Sequence, residues 1–416
     1  MTEIAWIGQA LANARPRAVG ALLRYFRDLD TAEEAFQEAS LKALKSWPEN
    51  GPPRDPAAWL ILVGRNTGID AARRRQKQTA LPPDDMISDL DDVESPLAER
   101  LDGEHYRDDI LRLLFICCHP DLQATHQVAL ALRIVSGLTV KQIARAFLVS
   151  EAAMEQRITR AKARIAAAKV PFETPGPVER AERLAAVATM IYLVFNEGYS
   201  AADSNEARTQ LCEEAIRLGR LLLRLFQTEP EIMGLTALML LQHARTPARF
   251  NADGAIVLLE DQDRSLWNGA MIAEGLALID KAVRHRQPGA YQIQAAIAAL
   301  HARAARPEDT DWPQIELLYG ALAHMQPSPI VSLNHAVAVS KVKGPAAALE
   351  MIEPLAPLLS GYFYFYGVKG ALLLKLDRKH EAREAFDRAI ALANTAAEAA
   401  HIRQHLDRLM REDAVS

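Results

Sequence analysis

Gln156, Arg157, Thr159 and Arg160 lie within five residues of one another. Together they offer the positive charge and the hydrogen-bonding groups that phosphates and base edges accept. They belong to the stretch RIVSGLTVKQIARAFLVSEAAMEQRITRAKARIAAAK, residues 133–169, in which Met154, Ile158, Ala161 and Ile165 recur at helical spacing on the opposite side. Ser150 stands where a cap for that helix belongs. Upstream, Thr139 with Gln142 three residues later forms a capping-box start. It opens a shorter helix with an apolar face of Ile143, Ala144 and Phe147. Residues 133–170 carry eight Lys/Arg and two Glu, a local charge of +6. A short helix, a tight turn and a longer basic helix is the form of a helix-turn-helix, whose second helix enters the DNA major groove. An ordinary helical hairpin with a solvated charged face has the same pattern.

A second basic helix is expected over residues 56–77, PAAWLILVGRNTGIDAARRRQK. Trp59, Leu60, Val63 and Ile69 form its apolar side. Arg65, Arg73, Arg74, Arg75 and Lys77 against Asp70 give +4 over residues 65–77. Phosphates need only the charge. Reading exposed bases needs groups such as Asn66, Thr67 and Asp70. A helix ending in a solvated arginine run is the alternative.

The elements that hold these helices follow from the flanking sequence. Residues 79–100 contain seven acids, one base and three prolines, a composition that disfavours packing and predicts an extended linker. Residues 28–47, DLDTAEEAFQEASLKALKSW, predict a helix capped by Asp30 or Thr31, with Ala35, Phe36, Ala39, Ala43 and Leu44 facing inward. Glu33, Glu34, Gln37 and Glu38 then form an acidic patch suited to a basic protein surface rather than to DNA. A solvated helix face is the simpler reading of that patch in isolation.

The order of these parts resembles a known family. DTAEEAFQEASLKAL resembles regions 2.1–2.2 of bacterial sigma factors. PAAWLILVGRNTGIDAARRR resembles regions 2.3–2.4, with the Trp-Leu, Arg-Asn, Asp and Arg-Arg pattern of the extracytoplasmic-function (ECF) group. LTVKQIARAFLVSEAAMEQRITRAKARI resembles region 4.2. The likeness covers roughly residues 1–170. It implies that Asp30, Glu33, Glu34, Gln37 and Glu38 lie near the clamp helices of core RNA polymerase. It further implies that Arg65, Asn66, Asp70, Arg73 and Arg74 engage the −10 element during melting, and that Gln156, Arg157, Thr159 and Arg160 read or anchor the −35 element. Glu155 departs from the pattern, an acid where many relatives carry a base.

An ordinary ECF sigma factor ends near residue 170, whereas this chain has 416 residues. The Pro-rich segment PFETPGPVE marks a junction. The remainder, rich in Ala and Leu, is expected to be helical. Beyond residue 170 there are 25 basic and 30 acidic residues, against 23 and 23 before it, so the extension does not read as another DNA binder. Ala302, Ala336 and Gly370 are spaced by 34. So are Leu318, Ile352 and Phe386, and likewise Ala321, Leu355 and Ala389. That period, with small residues in one helix and a bulky one in the next, resembles tetratricopeptide (TPR) repeats. A nonrepetitive helical bundle is the alternative. LFICCHP and YLVFNEGYSA resemble hallmarks of an ECF subgroup with a C-terminal TPR-like extension, which implies regulation from within the chain.

Cys117, Cys118 and Cys212 offer no disulfide framework and no zinc spacing, and they read as buried structural thiols. EDQDRSLW, residues 260–267, lacks the loop glycine and closing Glu of a calcium loop. Gly198 in NEGY reads as a helix terminator. No phosphate-binding glycine loop, metalloprotease motif or nucleophile elbow is present. The sequence also holds no apolar run of membrane-spanning length and no signal peptide, so a cytoplasmic location is expected.

The expected fold is all-α. Sigma region 2 spans 1–78, an acidic linker 79–103, a region 4 helix-turn-helix 104–170, a junction 171–178 and a TPR-like regulatory domain 179–416. The expected function is promoter-specific transcription initiation, with core polymerase and promoter DNA as partners. A contact between the extension and the sigma domains completes the scheme, which has no catalytic residue, metal, cofactor or membrane. The alternative is a DNA-binding TPR-type regulator acting without core polymerase.

Overall fold

The computed structural model describes residues 5–51, 53–76, 104–147, 149–168, 177–199, 206–251, 256–393 and 402. The expected acidic linker and most of the Pro-rich junction lie outside these residues. Among the described residues there is no β-strand, only an isolated bridge between Phe250 and Ile256. No described helix is long and apolar enough to cross a membrane. The chain divides into two compact units, Met1–Val194 and Phe195–Ser416.

In the first unit, α1 (Ala5–Phe26), α2 (Leu29–Asn50) and α3 (Pro56–Gln76) pack on one another. Their core holds Leu22, Leu23, Ala35, Phe36, Leu60 and Val63. Gly64 lets α3 approach α2, since an added Cβ would lie 3.1 Å from the Ala35 carbonyl oxygen. Trp47 stacks on Trp6 and meets Trp59 edge-on at 5.3 Å. Helix α2 is capped by Asp28 rather than Asp30 or Thr31: Asp28 Oδ1 accepts from Thr31 N at 2.7 Å. The start is set by Arg27, whose φ of 55° breaks α1 and leaves Asp28 extended, the conformation a cap requires. Leu44, expected inside, is exposed, and Trp47 takes the inward place.

Helix α4 (Glu104–Cys117) packs on α1, where Gly20 leaves room for the Asp109 backbone. Helices α5 (Ala124–Ile134), α6 (Val140–Ala146) and α7 (Glu151–Ala167) follow. The Thr139–Gln142 capping box opens α6, and Ser150 accepts from Ala153 N to open α7. Leu130, Ile134, Ile143, Met154 and Ile158 close the core between them. Helix α8 (Pro177–Tyr199) runs past Gly198, which therefore does not terminate it; Tyr199 stacks on Phe195.

In the second unit, α9 (Glu206–Leu225) leads to α10 (Pro230–His243), which is apolar nearly all round and buried accordingly. Helix α10 packs against α9, α11 (Gly269–Val283) and α12 (Ala290–Arg303). Glu231 on α10 accepts from Tyr291 N and Gln292 N, satisfying the first amides of α12. The helices α13 (Trp312–Met325), α14 (Pro329–Val342), α15 (Pro345–Ile352), α16 (Phe363–Lys375) and α17 (Lys379–Leu392) follow among the described residues. Both members of the pair α14–α15 begin 34 residues before those of α16–α17. Ala336, Ile352, Phe386 and Ala389 are buried there in one cluster, and Gly370 is buried beneath Phe386. The first copy of the period differs: Ala302 and Leu318 are half-buried and Ala321 is exposed.

Candidate nucleic-acid interface and a buried ion-pair seam

Helix α7 carries the first candidate surface. Met154, Ile158, Ala161 and Ile165 anchor one side in the core, which turns Gln156, Thr159 and Arg160 outward and leaves Arg157 half-buried. Glu155 is exposed beside them. His126, on the first turn of α5, belongs to the same neighbourhood. Its pKa is lowered by burial and by the charges of Arg157 and Arg160, so it stays neutral near pH 7. Its Nδ1 is buried without a hydrogen-bond partner. Nothing in the local sequence pattern distinguishes His126.

Helix α3 carries the second. Asn66 is exposed, and the Arg65 guanidinium lies 5.5 Å from the ring centre of Tyr25. Thr67 donates to the Val63 carbonyl at 2.9 Å, so its hydroxyl serves the helix itself. The helix continues through Asp70, Arg73 and Arg74, whose side chains lie outside the described residues.

The acidic patch on α2 is divided. Glu34 and Gln37 are exposed, Glu38 is half-buried, and Asp30 reaches solvent. Glu33 is only 4% exposed. Its Oε1 lies 3.3 Å from Arg15 Nη2 and 3.0 Å from Arg133 Nη2, and its Oε2 is 2.8 Å from Lys162 Nζ. Lys162 also meets Asp30 Oδ1 at 2.6 Å. Arg15 donates through Nε to the Ile134 carbonyl at 2.9 Å and through Nη2 to the Arg133 carbonyl, so it caps the C-terminus of α5. Burial lowers Arg15 to about 10, still charged at neutral pH. Burial also pulls Lys162 down, but its hydrogen bonds to Asp30 and Glu33 outweigh this and the net shift is upward. Arg15, Arg133 and Lys162 were not singled out by sequence reasoning. Their partner is 18, 100 and 129 residues away in the chain, beyond any local pattern.

Cys117, Cys118 and Cys212 are buried thiols, with burial pushing Cys118 and Cys212 up to about 12 and Cys117 well above the ordinary thiol value. Among the described residues no group of three or more His, Cys, Asp or Glu is placed to hold a metal. The second unit contains a cavity of about 660 Å³ with Trp312, Tyr319, Val337 and Leu372 among its apolar walls and Arg264 and Lys341 among its polar ones.

Residues 11–78 match the family described as Sigma-70 region 2, and residues 112–165 match Sigma-70, region 4. Residues 183–283 match a family of unknown function (DUF6596). The chain is 71% identical over 415 residues to Uncharacterized protein R00370 of Rhizobium meliloti (strain 1021), covering 100% of this chain and 98% of that protein. The chain belongs to the sigma-70 family as an ECF-like sigma factor with a C-terminal extension. It is an RNA polymerase sigma factor, and its domains imply core polymerase and promoter DNA as partners. Sigma factors are generally non-enzymatic: they bind and position, and the polymerase carries out the chemistry.

Proposed function

We propose that this sigma factor selects its promoters through two separate readers and is controlled by its own extension. Helix α7 reads or anchors the −35 element through Gln156, Arg157, Thr159 and Arg160. Helix α3 engages the −10 element through Arg65, Asn66, Asp70, Arg73 and Arg74. Asp30, Glu33, Glu34, Gln37 and Glu38 on α2 lie near the polymerase clamp helices, with Glu33 buried beneath the exposed acids. The observation that carries the reading is the outward set Gln156, Thr159 and Arg160 on a capped helix whose other side is locked in the core. Rigid placement of such groups is what direct readout of a groove requires. Run-off transcription with core polymerase on genomic promoter fragments tests it. Transcripts starting at defined sites are expected, and a folded protein that gives none with core polymerase overturns the reading.

The extension, in this proposal, is a TPR-like regulatory domain that acts in the cytoplasm and touches the sigma domains. Its support is the 34-residue recurrence of the last two helix pairs and a cavity large enough for a ligand. Removing residues 206–416, with circular dichroism to check the remaining helices, and measuring run-off yield tests the control. An unchanged yield removes the extension from regulation.

A further inference from the structure

We propose that the cavity of the second unit binds a small organic anion with an apolar ring, its charge met by Arg264 and Lys375 and its ring by Trp312 and Tyr319. The proposal deepens the regulatory reading of the extension by naming the class of its ligand, and it rests on that reading for the ligand's role.

The cavity is a built face rather than a packing gap. Its walls include Asn334, Val337 and Lys341 of α14 and Val368, Ala371 and Lys375 of α16. Each residue of the second set stands 34 positions after its counterpart in the first. The recurrence that pairs these helices therefore also sets equivalent positions side by side along one wall, as stacked repeats do where they form a binding surface. Its volume of about 660 Å³ suits a small molecule. An extended peptide would present an amide at every residue, and the walls hold a single side-chain amide, Asn334.

The charges in the walls decide the sign of the ligand. Both acids are already engaged. Glu260 Oε2 lies 2.7 Å from Lys341 Nζ, and Glu308 lies 3.5 Å from Arg306. The Lys341 ammonium also stands 5.4 Å from the ring centre of Trp312, so the place a cationic ligand would take is filled from within the chain. The remaining cations are not balanced in this way. Lys375 is exposed on the last turn of α16 and has no ion-pair partner among the described residues. Arg264 is fixed by donation from Nη1 to the His301 and Ala304 carbonyls, while its Nε is buried without a hydrogen-bond partner. His301 adds no charge near pH 7, since burial and the charges of Arg245 and Arg264 lower it to about 4. What the walls leave unmet is a negative group, beside aromatic rings that favour a flat apolar body.

Isothermal titration calorimetry on the full-length chain at low ionic strength tests this with three probes of one ring: 2-naphthoate, 2-naphthamide and 2-naphthylmethylammonium. Saturable binding of one 2-naphthoate per chain is expected, at least about fivefold tighter than the amide. Lys375→Glu is expected to weaken 2-naphthoate about fivefold or more and to leave the amide unchanged; Lys375→Gln should weaken it less. Circular dichroism checks that both variants keep their helices, and the comparison of probes on wild-type protein does not depend on them. No saturable binding of 2-naphthoate, equal binding of the amide, or preference for the ammonium overturns the proposal. So does 2-naphthoate affinity that both folded variants retain in full. A hexaglutamate peptide that binds where 2-naphthoate does not would reassign the cavity to a polypeptide. None of these measurements involves transcription, so an extension whose removal leaves run-off yield unchanged would end the regulatory reading and leave the site standing.

Discussion

A Cβ added to Gly137 would lie 2.7 Å from Cδ of Arg15, closer than real side chains approach. Gly137 also has φ +74°, in the left-handed region that L side chains avoid. The turn after α5 thus fits against Arg15 only as glycine. Gly137→Ala is expected to destabilise the first unit by about 1–2 kcal/mol from the backbone alone, with displacement of Arg15 adding to it. A urea midpoint no lower than wild type would show that the turn has room to relax.

Phe386 is fully buried over Gly370, where an added Cβ would meet its ring at 2.5 Å. Phe386→Ala should cost about 3–5 kcal/mol through lost burial and an unfilled cavity. The loss should appear in the second unit. Hydrogen exchange of α14 to α17 should accelerate while α1 to α3 keep their protection. Equal acceleration in both sets would mean that the two units unfold together.

The two readers should respond to different DNA. Arg160→Ala is expected to weaken duplex −35 binding by about 1–3 kcal/mol if the contact is to a base. Asn66→Ala should leave duplex binding intact and impair opening, seen as lost permanganate reactivity near −10. Normal opening by Asn66→Ala would remove Asn66 from the melting role.

The buried thiols give a pH dependence with a definite sign. Folding raises the pKa of Cys118 to about 12 from an ordinary 9.0, so the folded state favours the protonated thiol. That stability is fully present below pH 9 and is lost as pH rises toward 12, by about 1.4 kcal/mol per pH unit for the thiol. Cys118→Ala should flatten the fall in stability between pH 9 and 10.5. An unaltered slope would assign the alkaline loss to other groups.

Much of the first unit was legible in the sequence because its signals are local. The Thr139–Gln142 capping box, the Ser150 cap and the Met154, Ile158, Ala161, Ile165 stripe each involve residues within a few turns of one another. Leu44 was misplaced because a two-fold choice of inward face was settled by Trp47 and its aromatic neighbours. Asp28 was missed as the cap because the break at Arg27 is a matter of backbone conformation, not residue type. Glu33 looks like Glu34 in the sequence. Only contacts from residues 15, 133 and 162 separate a buried acid from an exposed one. The 34-residue period was visible where both helix pairs follow it, in the last two pairs, and misleading at Ala321.

The seam around Glu33 also bears on how such a chain can change over evolutionary time. Arg15, Glu33, Arg133 and Lys162 share one carboxylate, so a substitution at any of them alters what the other three contribute. Replacing Glu33 alone strands three cations, and replacing Lys162 alone leaves Asp30 and Glu33 facing each other. These positions should therefore drift as a set: a neutral or reversed residue at one is tolerated only in backgrounds where its partners have already shifted. The helix proposed to read the promoter and the helix proposed to meet the polymerase are bound into a common epistatic history by a single buried acid.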